Sequence, residues 1–445
     1  MTQLIENVAV WDGRESVLPS GTIHIEETRI ARVVPTSETA DAPRNAVRID
    51  GTGKLAIPGL VNAHTHLYSS LARGMTVSPF APTTFTDILE QLWWKLDKAL
   101  DDETVQTSAL VGAMEAARCG VTTLIDHHAS PNAIPGALDR LRRAVCDDVG
   151  LRGVFCYELT DRDGNERSAQ GLKENLRFLN VPDAGVPGRF AALFGLHASF
   201  TVSDETIEQV AASLPEGAGI HIHVAEGPED EVECEARHGT RIVGRLDRHG
   251  LLGPNSILAH CLHIDEAEKD LIAERDAVVV HNPRSNMNNA VGLFDMPGFL
   301  GRDVLTGLGT DGLGCNMLAE LFTAGILQKH SRGDVLAGSF ADLDRILFVN
   351  NPLIASRLLG VDVGRIEAGA PADIVLLEYT PPTPLHVDTL LGHLLFGVAV
   401  HSLRVTDLFV AGRPVLRDGG FVDLDEPGIY ARAREQASAL WNRLG

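Results

Sequence analysis

Ile57-Pro58-Gly59-Leu60-Val61-Asn62-Ala63-His64-Thr65-His66 is an apolar run that ends in two histidines. It reads as a strand, and strand side chains alternate faces with a period of two. His64 and His66 therefore leave the strand on one side, at its carboxyl end. Two neutral imidazoles held together in this way suit a divalent cation such as zinc. An H-x-H pair proves little by itself. Its meaning depends on whether the rest of the chain supplies the missing ligands at matching places.

Downstream of Gly59, apolar runs of strand length alternate with longer, charged, helix-like stretches. The expected strands are Leu60–His66, Val121–Asp126, Arg152–Tyr157, Ala191–His197, Gly219–His223, Ser256–His260, Ala277–His281 and Val304–Asp311. The expected helices include Asp102–Cys119, Ile134–Val149, Ser168–Leu179, Ser203–Ser213, Glu229–His249 and Asp265–Arg275. Ser203 and Asp265 stand before acidic first turns, as helix caps do. Such alternation predicts an α/β fold, a (β/α)₈ TIM-like barrel over residues 59–360.

Upstream, residues 1–58 look all-β, with short β-rich runs at Leu4–Trp11, Thr22–Glu26 and Ile30–Val34. Past Gly360 the chain turns β-rich again at Ala372–Leu377 and Val405–Val410, then ends in a helix over roughly Pro427–Leu444. The amino-terminal β segment alone is too small for a core. The economical expectation is one small β-sandwich domain built from both ends, 1–58 plus 361–445.

The chain has 445 residues, 44% of them hydrophobic, which is enough for a large core. Asp and Glu number 60 against 38 Lys and Arg, a formal charge of -22. That balance argues against nucleic acid and anionic membrane surfaces as partners, since both need a basic face. The amino terminus lacks a basic region followed by an apolar run. The apolar stretch Leu390–Leu403 is interrupted by Gly392, His393, Gly397 and His401, too broken to span a bilayer. Six scattered cysteines without a C-x-x-C read as reduced thiols. The expected location is the cytoplasm.

The polar residues at the predicted strand ends form a set. Strand one ends in His64 and His66, strand five in His223, strand six in His260 and strand eight in Asp311. Reactive groups of such barrels sit at the carboxyl ends of the strands. His64, His66, His223 and Asp311 offer three nitrogens and one oxygen, which suits one divalent cation, Zn²⁺ first and Fe²⁺ second, holding a water. Glu226 follows His223 by three residues and can lean over that water without ligating. A two-metal version would want a lysine at the end of strand four. The six lysines, Lys54, Lys95, Lys98, Lys173, Lys269 and Lys329, all lie elsewhere. One metal ion is expected.

These motifs resemble the amidohydrolase superfamily in its single-metal aminohydrolase/deaminase branch. The resemblance runs from Pro58–His66 through His223-Val224-Ala225-Glu226, Leu258-Ala259-His260-Cys261 and His281-Asn282-Pro283-Arg284-Ser285-Asn286 to Gly309-Thr310-Asp311-Gly312. Gly364–Asp373 looks like the family's return into the β domain. Asp126-His127-His128-Ala129-Ser130-Pro131 and Asn286-Met287-Asn288-Asn289 look most like the SsnA aminohydrolase group, near guanine and 8-oxoguanine deaminases. Asn288-Asn289 departs from the commoner basic–aliphatic pair.

The resemblance implies a hydrolytic deaminase of an amino-substituted N-heterocycle, purine- or pterin-like. Activated water attacks the amino-bearing carbon and ammonia leaves. Glu226 protonates the adjacent ring nitrogen, His260 orients the water, and Asp311 relays its proton. Ring-opening of a cyclic amide or imine, or displacement from a triazine-type ring, is the competing enzyme class. Arg73, His128 and His197 are the candidates for gripping the heterocycle; His281 and Asn286 either line the pocket or brace it. Thr76–Trp94 is either a lid or a packed loop. The implied partner is a small heterocycle, and the resemblance favours a homo-oligomer, a dimer first.

Overall fold

The structure is a computed structural model. It describes residues 2–38, 45–183, 186–312, 314–401 and 403–444. Eight parallel strands follow Gly59 in two arcs. The first arc holds Leu60–Thr65, Val121–His128, Arg152–Tyr157 and Phe190–Ala192. The second holds Phe194–Ala198, Ile220–Val224, Ile257–His260, Val278–His281 and Thr306–Leu308. Phe190–Ala192 and Phe194–Ala198 are one barrel strand interrupted at Leu193. Its first part pairs with strand three and its second with strand five. Single parallel bridges, Leu159 to Leu196 and Thr65 to Asp311, join the arcs at both seams. The second of these brings His64–His66 beside Asp311.

A slip in register gives the first strand its inward histidines. Val61 and Ala63 share an interior cluster with Ile125, Val154, Cys156, Val278 and Val280. Strict alternation would then turn His64 outward. The pairing with strand two shifts between Asn62 and Thr65, and such an irregularity changes which face a side chain takes. Helix Asn351–Leu359 adds Ile354, Ala355 and Leu359 to the same cluster.

Local signals placed several helices correctly. The Ser203 hydroxyl accepts from Thr206 N–H, and Asp265 forms a reciprocal cap with Glu268. The expected helix over Glu229–His249 is instead two, Pro228–His238 and Ile242–Arg248. Gly239 ends the first in the left-handed conformation at φ 64°. Among the described residues, no helix is long and apolar enough to cross a membrane.

Strands from both chain ends share one nine-stranded sheet. Lys54–Pro58 runs parallel to Thr2–Trp11 on one side and antiparallel to Ile374–Glu378 on the other. Gly59 carries the chain from this sheet into the barrel. A Cβ there would lie 2.1 Å from Thr122 Oγ1, so only glycine fits. Arg152 of barrel strand three ties the two units together. Its guanidinium meets Asp373 through Nε at 2.7 Å and Nη2 at 3.1 Å, with both side chains buried.

Candidate active site

The barrel strands bring four of the predicted site residues within reach of one another. His64, His223, His260 and Asp311 each offer an atom within 4.8 Å of the others. His66 joins them: its Nε2 is 3.2 Å from His223 Nε2 and 2.9 Å from Asp311 Oδ1. His64 Nε2 lies 3.6 Å from Asp311 Oδ1.

The hydrogen bonds behind the rings decide what this set can hold. His66 Nδ1 donates to the His127 carbonyl at 2.6 Å, and His223 Nδ1 donates to the His197 carbonyl at 2.9 Å. A carbonyl only accepts, so each Nδ1 carries the proton and each neutral ring has a bare Nε2. Two lone pairs thus face each other beside a carboxylate, with no donor between them. His64 Nε2 is buried without a hydrogen-bond partner. Such a nitrogen and oxygen set, oriented from behind by carbonyls, fits a divalent cation.

Electrostatics agree with that fit. Burial pushes His64 down to about 4 and His223 down to about 3, keeping both neutral. Burial would also lower His66, yet Asp311 and Glu158 raise it well above the ordinary value. Burial would raise Asp311, yet the His64 and His66 rings beside it hold it well below the carboxylate range. The floor of the site demands positive charge.

Glu226 and His260 sit beside this floor. His260 Nδ1 donates to Asn286 Oδ1 at 2.8 Å, leaving Nε2 3.4 Å from Glu226 Oε2 and 3.9 Å from Asp311 Oδ2. Asn289 Nδ2 donates to Glu226 Oε1 at 3.3 Å. Burial raises the Glu226 carboxyl to about 7, against the opposing pull of His260. The Ser285 hydroxyl donates to Asp311 Oδ2 at 2.5 Å. Ala225, His260, Cys261 and Asp311 all have positive φ, at 47°, 74°, 51° and 58°. Left-handed backbone is uncommon for residues with a Cβ and concentrates where a site dictates the geometry.

A cavity opens over this floor. Phe85, Leu89, Trp93, Trp94 and Phe200 form its apolar wall; Tyr68, Asp97, Glu158, Arg162, His197 and Asp230 form its polar one. His197 lines the cavity, as expected. Its Nδ1 donates to Thr201 Oγ1 at 2.8 Å, and that hydroxyl donates onward to the Ala198 carbonyl, so Nε2 is left as an acceptor.

The other four residues expected to touch substrate do not line the cavity. Arg73 follows the short helix Leu67–Ala72, which turns it outward onto Glu115 at 2.7 and 2.6 Å. His128 faces away from the barrel interior, against Ser130, Tyr68 and Tyr157. His281 is stacked on Phe294 at 4.4 Å, and Asn286 is occupied by His260. Both are braces.

Sequence reasoning passed over Asp97, Glu158, Arg162, Phe200 and Asp230, and also the layer beneath the floor. His221 precedes His223 by two and so shares its face; its Nε2 is 2.8 Å from His64 Nδ1. His127 stacks on His221 at 4.4 Å. The His221-x-His223 spacing was the available signal for the first of these. Glu158, directly after strand three, was the signal for the polar wall.

Comparison with known proteins places this geometry. The chain is 34% identical over 427 residues to the 5'-deoxyadenosine deaminase of Methanothermobacter thermautotrophicus, covering 94% of this chain and 95% of that one. It is 30% identical over 442 residues to the 5-methylthioadenosine/S-adenosylhomocysteine deaminase of Pelotomaculum thermopropionicum, covering 98% of each. The zinc-bound structure of an adenosine deaminase from Xanthomonas campestris superposes with a TM-score of 0.82 at 26% identity, over 98% of both chains. The model of the amidohydrolase family matches residues 55–415. With that match running from the last strand before the barrel to the far side of the shared sheet, and with the clustered histidines and aspartate at the strand ends between, the chain belongs to the amidohydrolase family.

Proposed function

We propose that this protein deaminates the 6-amino group of an adenine-type nucleoside, releasing ammonia. It is a metal-dependent hydrolase of C–N bonds in cyclic amidines. The relatives' names point to adenosine-type rings, within the purine class expected from the sequence.

One observation carries the reading. Two carboxyls flank His260 Nε2 at 3.4 and 3.9 Å, and their surroundings drive them apart. Glu226 is raised to about 7 and Asp311 is held far below that. Paired groups shifted in opposite directions are an acid and a base. Glu226 donates its proton to the ring nitrogen beside the amino-bearing carbon and makes that carbon electrophilic. Asp311 takes the proton that the attacking water gives up and passes it to the departing amine. Ser285 steadies the Asp311 oxygen that does this. His260, anchored by Asn286, aims Nε2 at the reacting centre. A divalent cation held by His64, His66, His223 and Asp311 supplies Lewis acidity that makes water acidic enough to react near neutrality. Ring carbon, amine and water exchange without any redox step.

We infer a single ion per chain, zinc first, because His64, His223 and Asp311 converge, His66 Nε2 lies within 3.2 Å of His223 Nε2 and 2.9 Å of Asp311 Oδ1, and no lysine stands at the end of strand four. The acidic surface and dispersed cysteines support a cytoplasmic enzyme of purine metabolism acting on free small molecules. The family resemblance supports a homo-oligomer. Residues 59–360 are taken as the catalytic unit and 1–58 with 361–445 as its β companion.

Ammonia release from a panel of adenine nucleosides, guanine and pterins, with product masses, tests the reading. Loss of the amino group with gain of oxygen is expected. Ring-opened or dehalogenated products formed without ammonia overturn it.

A further inference from the structure

The polar wall of the cavity has an uneven charge. Arg162 is the one Lys or Arg lining it among the described residues. Its guanidinium lies over the Trp94 ring at 5.0 Å and is already engaged by Asp97 and, at 3.4 Å, by Asp163. Glu158 is a further buried carboxylate in this wall, with its Oε1 3.2 Å from His66 Nδ1. Burial, with Glu158 and Asp163 close by, raises the Asp97 carboxyl to about 7. Arg162 is thus spent on Asp97 and on Asp163, the latter shared with Lys98 Nζ at 2.9 Å, and Glu158 receives no ion pair from it.

Some donor capacity remains. Arg162 Nη1 is buried without a partner, and so is Asp97 Oδ1. A hydroxyl can accept from a donor such as the first or donate to an acceptor such as the second. An anion can only accept, and would do so among carboxylates. The reacting carbon has to lie beside Glu226 and Asp311, where a bound cation offsets the local acids. Whatever part of the ligand extends away from that floor meets the wall of Asp97, Glu158 and Arg162.

We propose that the pocket selects by charge at the end of the nucleoside remote from the amino group. It accepts neutral or cationic 5′-substituents and turns away carboxylates and phosphates. This rests on the nucleoside deaminase reading above. The determinants are Glu158 and Asp97, which leave Arg162 no net charge to offer an anion.

The test uses ligands of one size. Adenosine 5′-carboxylate is compared with its neutral 5′-carboxamide, with 5′-amino-5′-deoxyadenosine as the cationic member. Binding is read from the fluorescence of Trp93 and Trp94, and turnover from ammonia. The carboxamide and the amine are expected to exceed the carboxylate in both by roughly 10-fold or more, since juxtaposed like charges strongly disfavour a wrong partner. Glu158→Gln and Asp97→Asn are each expected to narrow that ratio, whatever they do to the absolute rate. Equal binding of carboxylate and carboxamide by the wild type, or an unchanged ratio in both variants, overturns the proposal. If no adenine nucleoside yields ammonia the proposed function falls, while the binding order still decides the charge selection.

Discussion

Replacing Glu226 by Gln removes one proton and little else. The amide keeps the size of the carboxyl and its neighbours, Asn289 Nδ2 at 3.3 Å and His260 Nε2 at 3.4 Å. Glu226 belongs to none of the side-chain groups that could hold a metal ion, so metal content per chain should not change. What is lost is the transfer of a proton to the ring nitrogen. General acid catalysis contributes about 10²–10⁴-fold, which is about 3–5 kcal/mol of barrier. The upper part of that range is expected here. Glu226 is buried, so no bulk water takes its place, and a value raised to about 7 matches the donor to neutral conditions. Because the interaction is made in the transition state, kcat and kcat/KM should fall together with KM little changed.

The pH dependence follows from the same carboxyl. Glu226 must carry its proton, so the competent form is populated below its pKa and lost above it. Wild-type kcat should fall on the alkaline side, at or somewhat below 7 because a bound cation draws the value down. The residual activity of Glu226→Gln should lack that limb. The measurements are ammonia release at saturating nucleoside between pH 5 and 9, with metal analysis of each preparation. A variant with full metal and a near-wild-type rate, or one that keeps the alkaline limb, removes Glu226 from the chemistry.

Gly312→Ala puts a Cβ 3.0 Å from Trp93 Cη2, beside Asp311; misplacement of a positioning wall predicts a loss of roughly 10- to 100-fold in kcat/KM with circular dichroism unchanged. Asp373→Asn leaves the buried Arg152 guanidinium without its counter-charge, and should cost about 3–5 kcal/mol in denaturant unfolding. The same change at Glu6, whose partner Arg48 is 51% exposed, should cost little. Glu320 is buried and raised to about 8, so its contribution is complete below its unfolded value and is lost as pH rises through about 8. Glu320→Gln should match the wild type in thermal stability near pH 4.5 and exceed it by about 3–5 kcal/mol at pH 9. Equal curves across that range refute the assignment.

The clustering of the floor histidines was legible because its signals are local and periodic. His64, His66, His223 and His260 each close an apolar run, and the βα alternation says that such ends meet. Ser203 and Asp265 were legible for a similar reason, since a cap is decided within four residues. Arg73 and His128 lie away from the cavity for opposite reasons. His128 lies on a strand whose every residue is buried, so no polar face marks which parity points inward. His127 took the interior and His128 the outside. Arg73 lies past a single helical turn, and the direction in which that turn releases the chain is set by Glu115 on a helix 42 residues away. Neither choice leaves a trace in composition or period. The register slip before His64 is equally silent, since its cause is the pairing with strand two.

The segment Thr76–Trp94 joins the aromatic roof to the acid chemistry beneath it. Phe85 and Trp93 both line the cavity, and each rests on a glycine next to a functional carboxylate. A Cβ on Gly227 would lie 2.9 Å from Phe85 Cδ1, and one on Gly312 would lie 3.0 Å from Trp93 Cη2. Gly227 follows Glu226, and Gly312 follows Asp311. Neither glycine has the positive φ that would explain it by backbone freedom. Close approach explains both. With the rings seated there, water is kept from Glu226, and burial is the main cause of its raised pKa. The glycines, the aromatic residues and the protonated acid are therefore one arrangement. Lifting the Trp93 edge by a single methyl at Gly312 should lower the pKa of the alkaline limb as well as the rate, whereas a purely steric wall would change the rate alone.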